Sequence, residues 1–174
     1  MKYFVLLYTL VLCGCHQFSV GAEKNALRIV GPTHLAISAA GESIKFSPEL
    51  RLTNLTKSAI GISRIGSSMV NAKLQYRFTD EHGAEIPLLR REGPTLVGAR
   101  MWTILLLPGK SFQWTTNETL VYPKVAKGRY WLAADLEIDP PDPVFEARLS
   151  DADKGQIDHT RHVFDSDPLE ISVE

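Results

Sequence analysis

The residues best equipped for chemistry lie near the C-terminus. Asp151, Asp153, Asp158, Asp165 and Asp167 fall within seventeen positions, with His159 and His162 among them. Carboxylate oxygens at close range suit a hard cation such as calcium. The spacing falls short of an EF-hand: Gly155 occupies the fifth ligand position, Gln156 stands where glycine is required, and His162 replaces the closing Glu. His159 and His162, three apart, would offer two nitrogens to a transition metal on a helical turn, but no third ligand accompanies them. The segment therefore reads as a solvated acidic loop with no cofactor, and calcium is the first metal to test.

A second group is basic. Arg90, Arg91 and Arg100, with Lys124, Lys127 and Arg129, could form a face for phosphate or carboxylate, which guanidinium groups bind in a bidentate fork. The alternative is that they are outward residues of half-buried strands. Trp131 is out of phase with its apolar neighbours Tyr130 and Leu132, which leaves two positions for it: an outer face, as a contact for a sugar or a protein, or burial beneath the long loop at 139–168. Trp102, in the apolar stretch 101–107, is expected in the core. Enzyme signatures are missing: there is no Gly-x-Ser-x-Gly and no His-Glu-x-x-His. Gly109-Lys110-Ser111 ends like a phosphate loop, but Ile104 stands where its first glycine belongs. The chain is read as non-enzymatic.

The elements that must position these residues are strands. Apolar side chains alternate with polar ones at 43–53, 70–79, 130–138 and 169–173. A period of two puts one face in the core and one in water. Strands buried on both faces would be apolar throughout, so the sheets are mostly antiparallel. Further strands are expected near 27–30, 34–38, 59–65, 84–89, 95–106, 111–116 and 144–149. Turn residues at 54–58, 80–83, 108–109 and 127–128 separate the runs. The Pro-rich stretch 139–168 is expected to be a long acidic loop. Many short alternating strands predict an all-β chain, a single antiparallel β-sandwich over 27–174.

Of 174 residues, 44% are apolar and 22% charged, ordinary for a globular domain, and a net charge of −1 offers no basic excess for nucleic acid. The charge is uneven. Residues 1–130 carry sixteen Lys and Arg against eight Asp and Glu, and residues 131–174 carry three against twelve. Both cysteines, Cys13 and Cys15, lie at the N-terminus, so the body holds no disulfide framework or cysteine nucleophile.

Met1-Lys2 followed by the apolar run Tyr3–Leu12 has the form of a secretory signal, too short to span a bilayer. Leu12-Cys13-Gly14-Cys15 resembles the lipobox of bacterial lipoproteins. The resemblance implies a signal peptide over 1–14, an acylated Cys15, and a polar tether over 15–26. Residue +2 is His16, not the Asp of inner-membrane retention, which implies an outer-membrane anchor facing the periplasm. The rival is cleavage after Val20-Gly21-Ala22 and a soluble secreted or periplasmic protein. Asn54-Leu55-Thr56 and Asn117-Glu118-Thr119 are sequons that would matter only in a eukaryotic source.

Leu105–Lys110 followed by Gly128-Arg129-Tyr130-Trp131 resembles the E-to-F passage of immunoglobulin-like domains, and 49–60 resembles their B-to-C passage. The resemblance implies that Tyr130 pins a strand corner through its hydroxyl. The Cys–Trp–Cys triad of antibody domains is absent. The functional expectation is a membrane-anchored envelope module that binds or assembles with a protein partner. A carbohydrate or small-ligand module, or a domain like the small bacterial proteinase inhibitors that share the Leu-x-Pro-Gly and Gly-x-Tyr layout, is the alternative. A metal-dependent hydrolase ranks last.

Overall fold

A computed structural model describes residues 26–32, 34–35, 43–65, 68–93, 100–116 and 118–174. The expected signal, Cys15 and most of the tether lie outside them, as do Asn117 and residues 95–99 of an expected strand. Fourteen strands are present among the described residues: β1 (Leu27–Gly31), β2 (His34–Leu35), β3 (Ser43–Phe46), β4 (Glu49–Thr53), β5 (Ile60–Ile65), β6 (Ser68–Met69), β7 (Ala72–Asp80), β8 (Arg90–Glu92), β9 (Met101–Leu106), β10 (Ser111–Thr115), β11 (Thr119–Pro123), β12 (Gly128–Ile138), β13 (His162–Asp165) and β14 (Leu169–Val173). Two single-turn helices, α1 (Pro143–Glu146) and α2 (Asp151–Lys154), interrupt them. The fold is all-β and sandwich-like.

The strands form four antiparallel ladders, β1–β4–β10, β3–β11–β8, β6–β5–β9, and a largest sheet in which β12 is central. β7 runs along one edge of β12 from Ala72 to Asp80. The other edge is shared: β14 pairs with residues 128–132 and β13 with residues 135–138. One short parallel contact joins β14 to β2. The core parity of β12 is obeyed, with Tyr130, Leu132, Ala134, Leu136 and Ile138 buried, and Ala133 is the one outward position that is buried as well. These pack with Phe46, Phe78 and Tyr122 in a core whose rings lie 4.8–5.9 Å apart.

Two local features shape the frame. The expected run 43–53 is cut in two at Ser47-Pro48, because proline has no N–H to continue a ladder. β3 then pairs with β11 and β4 with β1 and β10. The ribbon of β4 and β5 against β10 and β9 is interrupted again at 54–59 and 107–110. There the fully buried Asn54 donates to the carbonyls of Ser58 (2.8 Å) and Leu106 (2.6 Å) and accepts from the Thr56 N–H and hydroxyl. Its backbone bonds Lys110 and Gly109, where a positive φ of 71° calls for glycine. The Tyr130 hydroxyl donates to the Ala126 carbonyl at 3.0 Å, which forms the corner anticipated there.

Other expectations are corrected. Residues 144–149 are not a strand: Asp142 caps α1 through Oδ1 to the Val144 N–H (2.8 Å), and Pro143 opens its first turn. A cap and a proline with preset φ outweigh the β propensity of Val144 and Phe145. The stretch 139–168 is not one long loop, since it holds α1, α2 and β13. Residues 84–89 are irregular apart from a bridge of Glu85 to Thr79, and the strand comes later, at β8. Val70 is 42% and Trp102 38% exposed. Trp102 has core-facing parity with Leu106 but lies at the sheet end, where the Arg64 guanidinium stacks on it at 5.6 Å.

Candidate functional site

The anion-binding face does not assemble. Arg90 forks onto Glu92 (2.8 and 2.9 Å), which Lys45 also reaches (3.1 Å). Arg91 bonds the Leu74 carbonyl (2.9 Å), approaches Glu118 (3.4 Å), and lies over the Tyr76 ring. Hydrogen bonds from Arg90 and then Lys45 hold the Glu92 carboxyl below its usual range. These cations already have anions. Arg100 is exposed and immediately precedes β9, which belongs to a different ladder from β8.

The metal candidates also disperse. Asp151 pairs with Lys154 (3.0 Å), and Asp153 accepts from the Ser150 hydroxyl (2.7 Å). Asp158 accepts from the Thr160 N–H (2.9 Å) and lies 3.8 Å from the buried His162. Hydrogen bonding from Thr160 and the neighbouring histidines lower its pKa. His159 turns to Glu146 at 3.6 Å. Among the described residues no three His, Cys, Asp or Glu side chains converge as ligands. The carboxylates instead serve as helix-turn partners. The Asn54 sequon is closed as well, since its amide is buried and fully engaged.

One concavity of the outer surface lies at Trp131. Trp131 is half-buried on the solvent face of β12, opposite Thr79 of β7 and Glu170 of β14. Its concavity measures about 330 Å³ and is bounded by Arg77, Thr79, the 80–83 turn, Ala133 and Pro168. The shape follows from the local sequence. β14 cannot continue past Leu169 because Pro168 offers no N–H. Ser166 closes the gap by bonding Ala134 twice, N–H to carbonyl at 2.9 Å and hydroxyl oxygen from N–H at 2.8 Å. Ala133 then leaves room beside the larger Trp131.

The rim is built with similar economy. Asp80 Oδ1 accepts from the N–H groups of His82 (2.9 Å) and Ala84 (2.8 Å), and Gly83 adopts the positive φ of 78° the turn requires. Arg77 forks onto Asp135 at 3.0 and 3.1 Å. That hydrogen bond first, and the charge second, raise its pKa. Burial foremost, then the charges of Asp80 and Glu81, push the Tyr130 phenol upward.

The sequence marks a turn at 80–83 and admits an outer face as one of two positions for Trp131, but holds no signal for their meeting. Arg77 was visible only as one of several outward residues of its strand. What placed them together is the pairing of β7 with β12, in which Trp131 opposes Thr79 and Ala133 opposes Arg77. The sequence matches no protein-family model and no curated protein, so its functional assignment rests on this geometry.

Proposed function

We propose that this protein is a lipid-anchored, non-enzymatic module of a bacterial cell envelope that binds a protein partner through the Trp131 concavity. The carrying observation is the concavity itself: an aromatic ring held on a rigid antiparallel sheet, with small residues beside it and polar groups around it. Large aromatic side chains in such settings dominate interface energetics. The anchor part of the reading rests on the lipobox-like Leu12–Cys15, and acylation there would place the body at the membrane surface. A carbohydrate ligand is the second reading, favoured by the same indole face beside the Arg77–Asp135 pair.

The test is a photo-crosslinking residue at Thr79, on the rim, in cells expressing the lipidated protein. The expected result is one discrete adduct in the envelope fraction, lost in Trp131→Ala and in Cys15→Ala. Adducts unchanged by Trp131→Ala would dismiss the concavity as the contact. Retention in the envelope by Cys15→Ala would dismiss the anchor.

A further inference from the structure

The geometry points to a cation as the group the Trp131 concavity receives, namely a lysine or arginine side chain of the partner. This rests on the binding role proposed above and fixes the chemistry of its ligand. Glu170 stands directly across the strand pair from Trp131 on the same face, where opposed Cβ atoms are about 5 Å apart. Asp80 and Glu81 bound the concavity on the far side. The one guanidinium in its lining, Arg77, is already matched by Asp135, and Asp165 and Glu85 add negative field around it. Arg129, two residues before Trp131, and Lys73, opposite Glu137, are further cations on this face, and neither they nor Glu170 line the concavity itself. The indole thus has Asp80 and Glu81 in the lining beside it and Glu170 across the strand pair, although Asp80 Oδ1 is engaged by the turn N–H groups and Glu81 lies 3.7 Å from His82.

An aromatic face attracts a cation through its quadrupole, and carboxylates at the edge pair with the same charge. An anionic or acidic ligand would meet Glu170, Asp80 and Glu81, with Arg77, the one guanidinium in the lining, already paired with Asp135. This reverses the ligand sign that Arg90 and Arg91 suggested, because both, on β8, are paired with glutamates. It also gives a use to the acidic excess of residues 131–174, part of which is displayed around Trp131.

The test uses the purified full-length protein in non-ionic detergent, with acetyl-triarginine amide and acetyl-triglutamate amide as probes. Binding is read from the Trp131 indole N–H signal in ¹H–¹⁵N spectra, assigned with Trp131→Phe. The triarginine probe is expected to shift that signal, with an effect that weakens as salt is raised, and triglutamate to leave it unmoved. Glu81→Lys with Glu170→Lys, both exposed and neither needed for the core, is expected to weaken triarginine binding at least about fivefold. Asp151→Lys with Asp153→Lys makes the same change in net charge on α2 and is expected to leave binding within about twofold. Equal losses in the two double variants would overturn the site in favour of general charge attraction, and a response to triglutamate would overturn the sign. If triarginine binds as expected but Thr79 crosslinks no envelope protein, the cation site stands and the partner role falls. If Thr79 crosslinks a partner while triarginine is ignored, the role stands and the cation assignment falls.

Discussion

Replacing Asn54 by alanine tests whether one buried amide holds the bend in the β4–β5 ribbon. The side chain is wholly inaccessible and makes four hydrogen bonds of 2.6–2.9 Å. A neutral hydrogen bond contributes about 1 kcal/mol net, and a buried polar group left unmatched costs about 1–3 kcal/mol. The Ser58 carbonyl keeps a bond from the Thr56 hydroxyl (2.7 Å), so its loss is partial. The bond to the Leu106 carbonyl is buried and loses its donor outright. The sum is about 3–4 kcal/mol. A domain of this size unfolds with a urea slope of about 2 kcal/mol per molar, so the midpoint should fall by about 1.5–2 M with the slope unchanged. Asn54→Asp should do no better, because a carboxylate accepts where Leu106 and Ser58 need a donor. A loss below about 1 kcal/mol in Asn54→Ala would refute the reasoning and show that water or relaxed backbone substitutes for the amide.

Two further outcomes follow from local geometry. A Cβ at Gly61 would overlap the Pro141 ring, with Pro141 Cδ 3.2 Å away, so Gly61→Val should cost about 1–3 kcal/mol in thermal or urea unfolding, and Pro141→Gly in the same chain should recover part of it. The lowered pKa of Asp158 contributes stability that is present above the ordinary aspartate range and lost as pH falls through its folded value. Asp158→Asn should therefore be less stable than the parent near neutrality and converge with it in acid, measured by urea unfolding at both.

The sequence determined the strand character of the alternating runs at 43–53, 72–79, 130–138 and 169–173 and which of their faces is buried, because side chains alternate across a pleated strand whatever its partner. That is why the parity of β12 was readable from spacing, whereas spacing left Trp131 open between an outer face and burial, and the corner at Tyr130 followed from the resemblance to immunoglobulin-like domains. The sequence did not determine β11 or β13, which carry no such expected run. Parity carried no information on depth along the strand. Trp102 and Val70 have core-facing phase but lie where the sheet ends, so the same pattern left them exposed. The helical turn at 143–146 was masked by Val144 and Phe145, whose β propensity is weaker than the Asp142-Pro143 cap that precedes them.

Tertiary structure alone decided the charge around the site. Composition showed sixteen cations before residue 131 and twelve acids from there onward, which suggested a basic face and a separate acidic loop. Pairing assigned Arg90 and Arg91 to glutamates, spread Asp151, Asp153, Asp158, His159 and His162 over a helical turn and three ion pairs, and brought Glu170 and the Asp80 turn to Trp131 from segments about ninety residues apart. Such contacts depend on register between distant strands, and register is a property of the whole packed core, which no local window of sequence contains.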